Sequence, residues 1–253
     1  MIPTALRNYV SKLASDTEKD RIVWRDGEDG RTYKYTLRDF EARECIFVHV
    51  PRAAGTSVNR ALFGHSAGGH KTVREYERIF GDAFWTYYTF SFVRNPYVRL
   101  VSAYEYLRRG GHPAFPRNRE FGEEVLGAYD GFPSFVLQWL RPDKAEWPLP
   151  HFYPQTHFLK LEGEVAVDFV GHVETIEADF ATVCDHLGET PELPEVNETP
   201  GERAPLSSYY DSDAVRRRVQ EVYRSDFETL GYSRDVGKAG APPRDQSGER
   251  THS

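Results

Sequence analysis

Residues Cys45 to Phe63, CIFVHVPRAAGTSVNRALF, constrain the fold more than any other stretch of the chain. An almost continuously apolar run gives way to a tight turn of small residues with two hydroxyl side chains, and then to a helical pattern. That order, from buried strand to small-residue loop to helix N-terminus, builds an anion pocket in many α/β proteins. The backbone N–H groups from Ala54 to Ser57 are expected to point out of the turn unsatisfied, where the helix dipole favours negative charge.

A second stretch repeats the logic. Tyr87 to Val93 is apolar and runs into Arg94-Asn95-Pro96, then a helix through Leu107; Asn95 suits a cap and Pro96 the first helical position. Further strands are expected at Ile46 to Val50 and Val167 to Val173. Helices are expected at Thr56 to Phe63, Val73 to Phe80 (Thr72 and Glu75 forming a capping box), Phe132 to Leu140 and Ile176 to Leu187. A last helix is capped by Asp211, has Val215, Val219, Val222, Phe227 and Leu230 on one stripe, and ends at Gly231. Strands alternating with helices imply a P-loop-like, mostly parallel sheet flanked by helices, the α/β class, in a single domain. At 253 residues one core suffices.

Residues 1–44 read as an N-terminal extension, with a helix at Ala5 to Ala14 and a hairpin made by Arg21 to Trp24 and Arg31 to Tyr35. The main domain then covers 45–233, and Arg234 onward, rich in Gly, Pro and charge, is expected to be a disordered tail. GHSAGG, Gly64 to Gly69, reads as a flexible loop and Gly110 to Arg119 as a surface loop without regular structure.

Composition narrows the partners. A net charge of −7 disfavours nucleic acid. The opening residues lack a leader pattern and no run reaches membrane-spanning length, so a soluble cytoplasmic protein without a membrane span is expected. Two cysteines, Cys45 and Cys184, give neither a disulfide framework nor a metal cluster and are expected to be reduced core residues.

The strand order puts the loops after Val50 and Val93 at one crevice beyond the carboxyl ends of the sheet. A kinase-type G-x-x-x-x-G-K-[ST] loop fails here: aligned on Gly55, Val50 stands where the first glycine belongs and Thr56 where the lysine belongs. No Asp or Glu ends either strand to hold magnesium. The loop therefore reads as a nucleotide-phosphate site without a metal.

HVPRAAGTSV resembles the 5′-phosphosulfate loop of the PAPS-dependent sulfotransferases of carbohydrate type, H-(I/V)-P-K-x-A-G-T-S. FSFVRNPYVRLVSAY resembles their 3′-phosphate segment, F-x-F-V-R-N-P-x-x-R-L-V-S-A-Y. Weaker likenesses at YPQTHFL, FVGHVETIEADF and VYRSDFETLGY extend the resemblance from about Cys45 to Tyr232. It implies transfer of a sulfuryl group from 3′-phosphoadenosine 5′-phosphosulfate (PAPS) to a hydroxyl, commonly on a sugar. Arg52, Ala54, Gly55, Thr56 and Ser57 would hold the 5′-phosphosulfate, Arg94 and Ser102 the 3′-phosphate, and His70 would act as general base. Arg52 departs from the family's lysine; a guanidinium cannot readily donate a proton, so its contribution to catalysis would be electrostatic. A PAPS-binding protein without turnover, and a small-molecule kinase, stand as alternatives.

Other polar residues are assigned by the same reading. His49 is expected to be a satisfied core residue. His151 and His157 flank a proline-rich passage that would line the acceptor site or lie on the surface, and Gln155 would reach the crevice or pack. Arg99, Arg108 and Arg109 are expected to form a solvated helix face or to meet an anionic acceptor, and Arg203 is a candidate to close over the nucleotide.

Overall fold

The computed structural model describes residues 23–26, 32–142, 148–190, 192–193 and 204–243. The expected helix at Ala5 to Ala14 and Arg203 lie outside them. Strands β1 (Val23–Asp26) and β2 (Thr32–Thr36) form the expected antiparallel hairpin. The central strand β3 is Cys45–Val48, ending two residues before the sequence pattern suggested. In the Gly64 to Gly69 segment the structure replaces the flexible loop with β4 (Ser66–Ala67), which pairs in parallel with β2 and ties the hairpin to the main body.

Strand β5 (Tyr88–Val93) pairs in parallel with β3, Cys45 opposite Tyr88 and Val48 opposite Ser91. A short hairpin, β6 (Lys160–Leu161) with β7 (Glu164–Val165), precedes β8 (Phe169–His172), which pairs in parallel with β5 on its other edge. The sheet order is thus β3-β5-β8, all parallel. Ile46, Phe47, Phe90 and Phe92 are fully buried within it, as a sheet covered on both faces requires. Gly171 admits the ring of Phe92: a Cβ there would lie 2.6 Å from it.

Helices follow each of these strands: Gly55–Phe63 after β3, Pro96–Arg108 after β5 and Ile176–Leu187 after β8. The capping box at Thr72 forms as expected on the Val73–Phe80 helix, and Asn95 accepts from Tyr97 N. Both cysteines are buried free thiols.

Three further expectations about the course of the chain need correction. Within Gly110 to Arg119 a short helix, Pro116–Glu120, is set by Pro116 at its start and buries Asn118. The last expected helix is two pieces, Asp213–Val222 and Arg224–Thr229, and its cap is Ser212 rather than Asp211, because Ser212 Oγ receives Ala214 N. Residues 234–243 are packed rather than disordered: Ala239 is buried, and the Arg234 carbonyl accepts from Tyr97 Oη at 2.9 Å and from Gln220 at 3.1 Å. Among the described residues no helix is long and apolar enough to cross a membrane.

Candidate active site

The chain leaves β3 through His49 and Val50 into a turn whose residues Arg52 (φ +67°) and Ala54 (φ +58°) adopt left-handed backbone. Such geometry costs a non-glycine residue about 1–2 kcal/mol, so surrounding contacts must hold it. One holder is Arg99, whose Nε donates to Pro51 O at 2.8 Å and Nη1 to Tyr153 O at 2.9 Å. Arg99 is only 2% exposed, so it is not part of a solvated face; that correction follows from its position three residues before Ser102, on the helix side turned to the loop. Burial lowers the guanidinium pKa, yet it remains a cation beneath the turn.

The Gly55–Phe63 helix begins at Ala54 with no side-chain cap. Ser57 N is satisfied by Ala54 O at 2.9 Å, so the expected row of unsatisfied amides is shorter than the sequence suggested. Thr56 is exposed, whereas Ser57 is buried. Gly55 is required by close packing: a Cβ there would stand 1.9 Å from His49 Cδ2 and 2.1 Å from Nε2. Gly55→Ala is therefore expected to displace the whole His49 imidazole and destabilise the protein by about 1–3 kcal/mol, the range for overpacking, read as a lower midpoint in thermal denaturation.

His49 has a hydrogen-bond partner, as expected, but stands at the edge of the core rather than within it. It lies just past β3, half-buried, with its ring 4.4 Å from that of His70 in edge contact. Asn59 Oδ1 receives Ala67 N at 3.2 Å, which turns Nδ2 toward His49 Nδ1 at 3.5 Å and places the His49 hydrogen on Nε2. The His49 carbonyl in turn faces His70 Nδ1 at 3.2 Å. Because a carbonyl only accepts, His70 Nδ1 carries the hydrogen and Nε2 keeps its lone pair.

Solvent reaches His70, but its inner side is walled by protein, and desolvation pushes its pKa down to about 4. The bond to His49 opposes this, and the Arg99 and Arg52 charges add to it. His151, 8% exposed, lies 6.1 Å from His70 between ring centroids, and burial holds its pKa well below the ordinary value. Desolvation, with the His70, His151 and Arg52 charges, lowers the His49 pKa as well, so all three imidazoles are neutral at pH 7.

Ser102, buried on the Pro96–Arg108 helix, accepts from Arg52 Nε at 3.2 Å and Nη2 at 3.1 Å. The sequence pairs Ser102 with Arg94; the structure joins it to Arg52, so its hydroxyl ties the first loop to the helix that follows β5. Arg94 stands half-buried at the end of β5. Its N–H donates to Gln155 Oε1 at 2.9 Å and its carbonyl accepts from Gln155 Nε2 at 2.8 Å. Gln155, fully buried, is thus a backbone clasp. His157 is exposed, its ring against Tyr153, and Arg108 pairs with Glu105 at 2.9 Å. Sequence reasoning missed Asn59, Tyr106 and Asp226. Tyr106 was legible, since Arg99, Ser102 and Tyr106 follow an i, i+3, i+7 spacing that puts them on one helix face.

The model of the sulfotransferase family matches residues 8–233. Among curated proteins, the chain is 24% identical to mouse carbohydrate sulfotransferase 12 over 66% of this chain and 47% of that protein. It is 25% identical to mouse carbohydrate sulfotransferase 11 over 76% of this chain and 66% of that one. To human carbohydrate sulfotransferase 14 it is 32% identical, over 58% of this chain and 42% of the relative. The chain spans about half of the first of these and just under two thirds of the second. No solved structure matches. With the parallel sheet and the two loops at its carboxyl end, the family match is decisive: the chain belongs to the sulfotransferase family.

Proposed function

We propose that the chain transfers a sulfuryl group from PAPS to a hydroxyl of a carbohydrate. The observation that carries this reading is the convergence, at the carboxyl ends of β3 and β5, of a guanidinium held by a hydroxyl (Arg52 on Ser102) with a neutral imidazole of fixed tautomer (His70). The names of the similar proteins support a carbohydrate as acceptor.

In this reading Arg52, Thr56 and the turn at Ala54 and Gly55 receive the 5′-phosphosulfate, with Ser57 supporting them from beneath, and Arg94 receives the 3′-phosphate. Ser102 sits between the two groups. The acceptor oxygen bonds to sulfur while the bond from sulfur to the 5′-phosphate oxygen breaks, its electron pair leaving with the phosphate. His70 Nε2 takes the acceptor proton, and Arg52 stabilises the charge on the departing oxygen without giving up a proton. The same Arg52 favours a second reading, in which PAPS binds without turnover.

The product nucleotide, 3′-phosphoadenosine 5′-phosphate (PAP), at about 100 times its Kd is expected to stabilise the fold by about 2.7 kcal/mol. For a chain of this size that raises Tm by about 5–10 °C. Arg94→Ala should remove most of that shift. Absence of any shift in the wild type at millimolar PAP would overturn the reading. A shift with no labelled product from sulfur-labelled PAPS, across a panel of sugars and glycolipids, would favour binding without turnover.

A further inference from the structure

We propose that Tyr106, backed by His151, is a positioning residue that fixes the orientation of the Arg52 guanidinium; its consequence for turnover rests on the transfer reading above. The Arg52 Cζ lies 4.4 Å from the centre of the Tyr106 ring. The His151 ring stacks on the same tyrosine at 5.3 Å with the planes 30° apart. Ser102 grips one edge of the guanidinium through Nε and Nη2, while Tyr106 presents its π face to the cation. An edge contact and a face contact together remove the freedom that either alone would leave.

The tyrosine is itself anchored. Its hydroxyl accepts from Asn118 Nδ2 at 3.2 Å, and Asn118 is buried in the Pro116–Glu120 helix. His151 completes the stack as a neutral ring: burial depresses its basicity, with nearby His70, Arg52 and Arg99 adding to that effect. A charged imidazole at this place would repel the guanidinium across the tyrosine. A lysine ammonium cannot make the forked bond to one hydroxyl, so Ser102, with the Tyr106 ring beside it, suits the arginine this chain carries where the family pattern has lysine.

The test is a double-mutant cycle on the full chain, with PAP affinity measured by calorimetry and inorganic sulfate as a second probe. Tyr106→Leu is expected to weaken PAP binding about tenfold, the scale of a partly desolvated cation–π contact. Tyr106→Phe, which keeps the ring and gives up the hydroxyl with its Asn118 bond, should stay within about threefold of wild type. In an Arg52→Ala background Tyr106→Leu should cost nothing further, and Tyr106→Met serves as a second ring-free variant if the leucine variant fails to fold. Additive losses, or a Phe variant as weak as the Leu variant, would overturn the role of Tyr106. A wild type that binds sulfate with the same coupling but does not bind PAP would keep that role and overturn the nucleotide reading instead.

Discussion

His70→Ala is expected to lower kcat for sulfuryl transfer by about 10²–10⁴-fold, the usual contribution of a positioned general base, while PAP affinity stays within about twofold of wild type. The basis is the tautomer. His49 O holds the Nδ1 hydrogen of His70, so the only lone pair of that ring is on Nε2. His70→Asn keeps a donor for the His49 carbonyl and loses the base, so it should be as slow as the alanine variant. Equal loss of PAP binding and turnover in both variants would make His70 a nucleotide-binding or folding residue.

The same residue sets a pH profile. Its pKa in the free protein is lowered to about 4, chiefly by desolvation. A base works in its neutral form, so activity is present above that value and lost as pH falls through it. The acid limb of kcat/KM should therefore lie near pH 4 rather than 6.5. In the proposed transfer, bound phosphosulfate would bring negative charge beside the ring and favour the imidazolium, so the limb of kcat should sit at higher pH than that of kcat/KM. A kcat/KM limb at 6.5 that persists in His70→Asn would assign the titration to another group.

The frame of the site was readable because it depends on local pattern. An apolar run, a turn of small residues and a helix fix the end of β3 and the loop after it, and Asn95-Pro96 fixes the start of the next helix. What was not readable depends on contacts distant in sequence. His49 reads as core because it continues an apolar run, but the strand ends at Val48 and leaves the ring to pack on Gly55 and His70. Ser102 bonds Arg52 across 50 residues, a partner no spacing rule supplies. Arg99 reads as part of one face with Arg108 and Arg109, but nine and ten residues along a helix are two and a half turns or more, enough for burial at one end and solvent at the other.

Asp226→Ala is expected to destabilise the protein by about 3–5 kcal/mol, the loss that follows removal of one member of a buried charged network. For a chain of this size that lowers Tm by about 6–20 °C. The carboxylate is fully buried and accepts from Gln155 N at 2.8 Å, Thr156 N at 3.0 Å and Thr156 Oγ1 at 2.9 Å. Those amides begin the Gln155–Leu159 helix, whose cap position is Pro154 and supplies no side-chain cap, so Asp226 caps it from 70 residues away. Burial raises the pKa of the carboxyl, while the Arg99 charge and the bonds from Thr156 and Gln155 pull it down; removing it leaves two buried N–H groups without their acceptor and takes an opposite charge out of the field of the buried Arg99. The effect reaches the site because Gln155 clasps the Arg94 backbone through both of its amide atoms. PAP affinity should therefore fall together with stability, and Asp226→Asn, which retains one acceptor oxygen, should lose less of each. Thermal denaturation monitored by circular dichroism, with and without PAP, separates the two effects. An alanine variant melting within about 2 °C of wild type would mean that the helix start is held by other contacts, and that Arg94 owes its place to β5 alone.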